Sequence, residues 1–145
     1  MSNSSTPASF AKRLAAMFYD FLLFGSALLV VGFISMLTIT SITGTENVAS
    51  GSLYAKLFFV YLLAFGYLFF GWFWTHGGQT LGMRAWKLQV ISFDGTTINW
   101  QQAFFRYIYS IISWIPLGAG YFWILVDKNK LAFHDRVSKT AIIYK

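Results

Sequence analysis

The sequence predicts an all-α membrane protein. It has three hydrophobic helical regions, the third broken by proline and glycine with a re-entrant turn as one of its readings, and a small interfacial β-hairpin or sheet. Three observations lead there. Residues 21–45, 57–83 and 107–126 contain no Lys, Arg, Asp or Glu. The 145-residue chain is 57% hydrophobic and only 11% charged, where soluble domains run near about a quarter charged. A soluble core of this size cannot hide that much apolar surface, and a bilayer can. The basic residues also stand at the ends of the apolar runs. There they anchor to head groups, and they form no stripe suited to nucleic acid.

Residues 1–9 are small and polar and read as a disordered tail, which leaves 10–145 as one membrane domain. Lys12-Arg13 precede an apolar run from Leu14 to about Leu37. Such a run exceeds the secretory core of roughly 7–15 residues, so it reads as a retained first span over 14–38. A polar loop with Glu46 follows over 38–55, and the second span is 57–75. His76-Gly77-Gly78 ends it, since glycine just past a helix is a stop signal. Trp86, Leu88 and Val90 then alternate with Lys87 and Gln89, which is strand periodicity. Asp94-Gly95 joins that run to the β-prone residues 96–100, predicting a hairpin, and 140–144 supplies a further β-prone segment. Trp72, Trp74, Trp86 and Trp100 flank this second loop and, with Trp123, read as an interfacial belt.

The third region, 103–126, has two readings. As one kinked span it divides the basic residues five against six, with Lys12, Arg13, Arg84, Lys87 and Arg106 on one side. Turning back at Ile115-Pro116-Leu117-Gly118-Ala119-Gly120, it leaves only Lys56 opposite the other ten. The positive-inside rule favours the second arrangement and puts the N-terminus in the cytoplasm, as expected for a bacterial inner-membrane protein. A turn at membrane depth requires cover from protein or water.

An acid inside an apolar run is costly in hydrocarbon and needs a partner. Asp20 is that acid, seven residues after Arg13 and so on the same helix face. Arg106 is the expected partner, with Arg84 and Arg136 as further candidates. A neighbouring guanidinium would make Asp20 a structural ion pair, while burial would fit it for proton exchange. Asp127 closes the third region, and His134-Asp135-Arg136 follow. No Ser or Cys nucleophile motif accompanies them, so the chain is not read as an enzyme. There are no cysteines, and His76 stands 58 residues from His134, so neither a metal nor another cofactor is expected.

In order, Ala11-Lys12-Arg13-Leu14-Ala15, Tyr19-Asp20, Gly78-Gln79-Thr80-Leu81-Gly82-Met83-Arg84, Asp94-Gly95, Arg106, Pro116-Leu117-Gly118, Asp127, His134-Asp135-Arg136 and Thr140 resemble the RDD family of small membrane proteins over about residues 10–144. The resemblance implies that the family's arginine and two aspartates correspond to Arg13, Asp20 and Asp127, with Asp135 a further acid. Met83 stands where the family often has a basic residue, and Ser138-Lys139 where it usually has a small residue and glycine. Some members are linked to cation/proton antiport, and eukaryotic relatives take part in membrane-protein quality-control assemblies. The first expectation is therefore exchange of a small cation against protons at Asp20, tuned by Arg106, in a homo-oligomer. The second is a scaffold in the lipid bilayer that holds partner membrane proteins. No nucleic-acid partner is expected.

Overall fold

The structure, a computed structural model, describes residues 6–44 and 53–145. It divides into two compact units, one of residues 21–66 and one of 1–20 with 67–145. The first helix, α1 (Phe10–Thr43), has 34 residues and the second, α2 (Leu53–Thr75), has 23. At about 1.5 Å per residue they measure about 50 and 35 Å, against a hydrocarbon core of about 30 Å. Both are long and apolar enough to cross a membrane. They start earlier than the charge-free runs suggested, because Lys12, Arg13 and Lys56 sit in first helical turns. The centre of the polar loop, with Glu46, lies outside the described residues.

In the unit of residues 21–66, large apolar side chains such as Leu29, Phe33 and Phe59 are exposed. The hydroxyls of Ser26, Ser35, Thr38 and Ser41 each donate to the carbonyl four residues back at 2.8–2.9 Å. Their polar atoms are thereby satisfied within the helix, as a lipid-facing surface requires. Phe24 and Phe65 stack with ring centroids 6.1 Å apart.

The other unit holds the short elements. After Thr75 the chain turns at Gly78 (φ 68), whose carbonyl accepts from Val90 N at 2.6 Å. A Cβ there would lie 2.5 Å from the Val90 carbonyl oxygen, so only glycine fits. Helix α3 (Leu81–Ala85) leads into strand β1 (Leu88–Ser92), whose Leu88, Val90 and Ser92 are buried as the period of two predicted. The expected hairpin does not form. Asp94-Gly95 does make a turn, with Asp94 Oδ1 accepting from Thr96 N at 2.9 Å. Residues 96–100, however, do not return as a strand. Asn99 caps helix α4 (Trp100–Ile112), accepting from Gln102 N at 2.8 Å while Gln102 Oε1 accepts from Asn99 N at 3.1 Å. This capping box, written as Asn-x-x-Gln, outweighs the β propensity of three residues.

The third apolar region is two helices, not one span. Helix α4 ends at Ile112, and α5 (Ala119–Val126) follows a turn at Leu117 (φ 52) and Gly118 (φ 79). Their 13 and 8 residues give about 20 and 12 Å, too short to cross. They fold back on each other. Tyr121 donates its hydroxyl to the Ser110 carbonyl at 3.1 Å, and a Cβ on Gly120 would overlap Ser113. Helix α6 (Phe133–Val137) then leads to strand β2 (Thr140–Tyr144), which is the partner of β1. The pairing is antiparallel, with Leu88 opposite Tyr144 and Ser92 opposite Thr140. Lys139, where the resembled family has glycine, enters β2 with φ 54. The tight turn is therefore present despite the substitution.

Of the tail expected to be disordered, residues 1–5 lie outside the described residues. Residues 6–9 run along β2, with Ala8 N donating to the Ile142 carbonyl at 3.0 Å and Tyr144 N to the Thr6 carbonyl at 3.2 Å. Leu88, Val90, Ile98, Ala103 and Ile142 form the core of this unit with Ala8 and Ala16. Trp74 belongs to that core too and Trp86 is half-buried, whereas Trp72, Trp100 and Trp123 are exposed.

Candidate functional site: a buried charge network

The carboxylate at the centre of the charge network is Asp135, not Asp20. Its residue is 0% exposed. The first turn of α6 points it at the first turn of α1 and the middle of α4. Arg13 Nη1 donates to Oδ2 at 2.7 Å, and Arg106 Nη1 donates to Oδ1 at 2.5 Å. Ala132 N also donates to Oδ2 at 3.0 Å, capping α6. Arg13 spends its remaining donors on carbonyls: Nε on Ala8 at 3.2 Å, and Nη2 on Lys130 and Ile142, each at 3.0 Å. Arg106 Nη1 donates to Thr140 Oγ1 at 2.7 Å, and its guanidinium carbon lies 5.2 Å from the centre of a Trp74 ring. One planar fork thus ties α1 to the tail, to β2 and to the loop before α6, which a lysine could not do.

His134 lies against this cluster. Its ring centre is 4.8 Å from that of Tyr121, and its Nε2 is 3.7 Å from Asp135 Oδ1. Burial pushes the imidazole down to about 4, outweighing the opposite pull of Asp135. At neutral pH it is therefore an uncharged neighbour and not a third cation. Burial would push Asp135 up, but the Arg106 and Arg13 guanidiniums and the Ala132 amide hold it well below the carboxylate range. Two guanidiniums and one carboxylate leave the network cationic. Arg106 Nε and His134 Nδ1 have no hydrogen-bond partner among the described residues.

A second pair closes the loop before α6. Asp127 Oδ2 accepts from Leu131 N at 2.9 Å and Oδ1 from Arg136 Nη2 at 2.6 Å. Asp20 stands apart from both clusters. Its Oδ2 accepts from Thr80 Oγ1 at 2.5 Å and its Oδ1 from Gly82 N at 2.8 Å. Thr80 is the N-cap of α3 and accepts in turn from Met83 N at 3.2 Å.

The family model described as RDD family matches residues 7–139. The chain belongs to the RDD family. Neither the curated proteins nor the solved structures compared with it give a match.

In this RDD protein the expected Arg106–Asp20 pair is absent. Arg106 is committed to Asp135, and Asp20 makes no ion pair among the described residues. The physical reason is position. Asp20 reaches α3, which presents a hydroxyl and an amide, while α4 turns Arg106 toward α6 and β2. The residues named from sequence therefore fall into three places: Arg13, Arg106, His134 and Asp135 together, Asp127 with Arg136, and Asp20 alone. Arg84 is exposed and joins none of them. Sequence reasoning missed Thr80 and Gly82 as the donors to Asp20. Both lie in the Gly78–Arg84 motif, where Thr at the start of a short apolar run was a capping signal. Among the described residues no three of His, Asp and Glu converge as a metal site.

The network has a pH signature. His134 falls from 6.5 to about 4 on folding, so between those values the unfolded chain binds the extra proton. Stability is full above about pH 6.5 and declines as pH falls, by about 3 kcal/mol near pH 4. Asp135 adds to the loss only below its ordinary 3.8, because its folded value is depressed. Thermal unfolding in detergent should show a midpoint that drops from pH 7 to pH 5. His134→Gln should flatten that drop.

Proposed function

We propose that this RDD protein is a non-catalytic membrane scaffold, whose internal charges lock one rigid shape for binding partner membrane proteins. The observation that carries the reading is the saturation of Asp135 by two guanidiniums and a backbone amide. A carboxylate so held has no exchangeable place for a cation or a proton. A buried pair of this kind specifies a shape more than it adds stability. The α4–α5 hairpin dips into one leaflet as a re-entrant element, so that the N-terminus and Lys145 lie on the cytoplasmic side of a bacterial inner membrane. Its exposed Trp114, Ile115 and Leu117 at the turn support that depth.

A second reading, exchange of a small cation against protons in a homo-oligomer, is favoured by one observation. Asp20 is bound by neutral donors alone, so no fixed cation neutralises it.

Reconstitution in liposomes with a pH-sensitive dye separates the two. The scaffold reading expects no sodium- or potassium-driven proton flux from wild type or from Asp20→Asn. Flux in wild type that Asp20→Asn abolishes establishes the exchange reading, and flux that survives the substitution discards the scaffold while sparing Asp20. Cysteines placed at Ser9 and Lys145 should label from the same side of intact cells.

A further inference from the structure

We propose that the basic corner where the sheet meets the first turn of α1 binds the phosphate-bearing head groups of anionic phospholipid. The inference rests on α1 crossing a membrane and not on the scaffold role.

Lys12 covers Tyr144 there, and the backbone brings Lys87 and Lys145 beside it, Lys145 Nζ donating to Gln79 Oε1 at 3.1 Å. Lys12 Nζ lies 4.7 Å from the centre of the Tyr144 ring. Tyr144 pairs with Leu88, next to Lys87, and Lys145 N donates to the Lys87 carbonyl at 2.9 Å. Lys130 is brought to the same corner, its carbonyl sharing Arg13 Nη2 with that of Ile142. All four lysines are exposed, and none makes an ion pair among the described residues. The nearby acids are spent elsewhere: Asp135 and Asp127 are buried in their own pairs, and Asp20 is held by Thr80 and Gly82. The N-terminal end of α1 adds partial positive charge. The Tyr144 hydroxyl is drawn below its usual range, first by the hydrogen bond from Ser9 and then by Lys12 and Arg13, as expected in a positive field.

Backbone geometry shows how two of these charges can be removed cleanly. Lys87 and Lys130 adopt φ 52 and φ 55. Side chains other than glycine lose about 1–2 kcal/mol in that region. Neither lysine is buried, so packing does not repay the strain. Each closes a turn, Lys87 N donating to the Arg84 carbonyl at 3.2 Å and Lys130 N to the Asp127 carbonyl at 3.1 Å, so glycine can replace either lysine and remove its charge without disturbing the backbone.

Depth selects the ligand. The apolar run of α1 starts at Leu14, directly after Lys12-Arg13. The corner therefore sits where the chain enters hydrocarbon, at the level of lipid phosphates.

The test titrates detergent-purified protein with phosphatidylglycerol or phosphatidylcholine at low salt and reads bound lipid by native mass spectrometry. Wild type should prefer phosphatidylglycerol. Combining Lys12→Gln, Lys87→Gly and Lys145→Gln should weaken that binding about a hundred-fold, at roughly fivefold per lysine. Glycine suits the backbone at position 87, and unchanged circular dichroism confirms folding. As a second variant, Lys87→Gly with Lys130→Gly should bind less phosphatidylglycerol while unfolding no sooner than wild type. Lys56→Gln, on α2, should bind as wild type. The proposal is overturned if the triple variant keeps its affinity or if Lys56→Gln loses as much. It is also overturned if millimolar inorganic phosphate displaces the lipid, which would mark a site for soluble anions.

Discussion

Asp135→Asn is expected to destabilise the protein by about 3–5 kcal/mol, the usual consequence of breaking a buried ion pair from one side. Arg13 and Arg106 are 6% and 3% exposed, so both guanidiniums would remain buried without a counter-charge. Asparagine could still accept from one of them, but its amide would present hydrogens to the other. Arg13 would keep its carbonyl partners on Ala8, Lys130 and Ile142. Arg106 would keep Thr140 alone, so the α4 side should loosen first. The control is a triple change, Asp135→Leu with Arg13→Met and Arg106→Met, which removes all three charges and should cost less than the single substitution. Thermal unfolding in one detergent measures both. If the single variant melts with wild type, the network is not what closes this unit.

Gly82→Ala should be the most damaging small substitution. A Cβ at position 82 would overlap the Ala16 carbonyl oxygen and stand 2.9 Å from the Asp20 carboxyl. Backbone cannot yield as a flexible side chain does, so α3 would be forced off α1. Overpacking of this sort costs about 1–3 kcal/mol. The hydrogen bonds that Asp20 accepts from Gly82 N and Thr80 Oγ1 would stretch as well, adding to the loss. Gly77→Ala is the matched control, because nothing lies within 4 Å of its added Cβ. Equal melting temperatures for the two variants would remove the close approach from the account.

Much of this molecule is written locally and can be read locally. Charge-free runs predict α1 and α2 because lipid leaves no alternative to an internally bonded helix. Gly78 stops α2 for a reason visible in one residue. The third region divides at its Pro-Gly segment as the lysine and arginine distribution suggested. What could not be read is pairing at long range. Residues 96–100 look like a strand, and only the choice between an Asn99 cap and a ladder decides otherwise. β1 finds its partner in 140–144, some 50 positions away. The choice of carboxylate for Arg106 fails for the same reason. Asp20 seemed the acid in need because it lies in an apolar run, yet helix α3 satisfies it with a hydroxyl and an amide. Asp135 lies in an ordinary-looking polar segment, and only the packing of α4, α6 and β2 makes it the most buried acid described.

The Arg13–Asp135 bond also imposes an order on synthesis. Its two residues are 122 positions apart. At ribosomal speeds of about 5–20 residues per second, Arg13 waits roughly 6–24 seconds for its carboxylate. Both long helices precede Asp135 in the chain, so the pair closes only after they have been made. For that interval the nascent chain carries an unmatched guanidinium at the start of its first long helix.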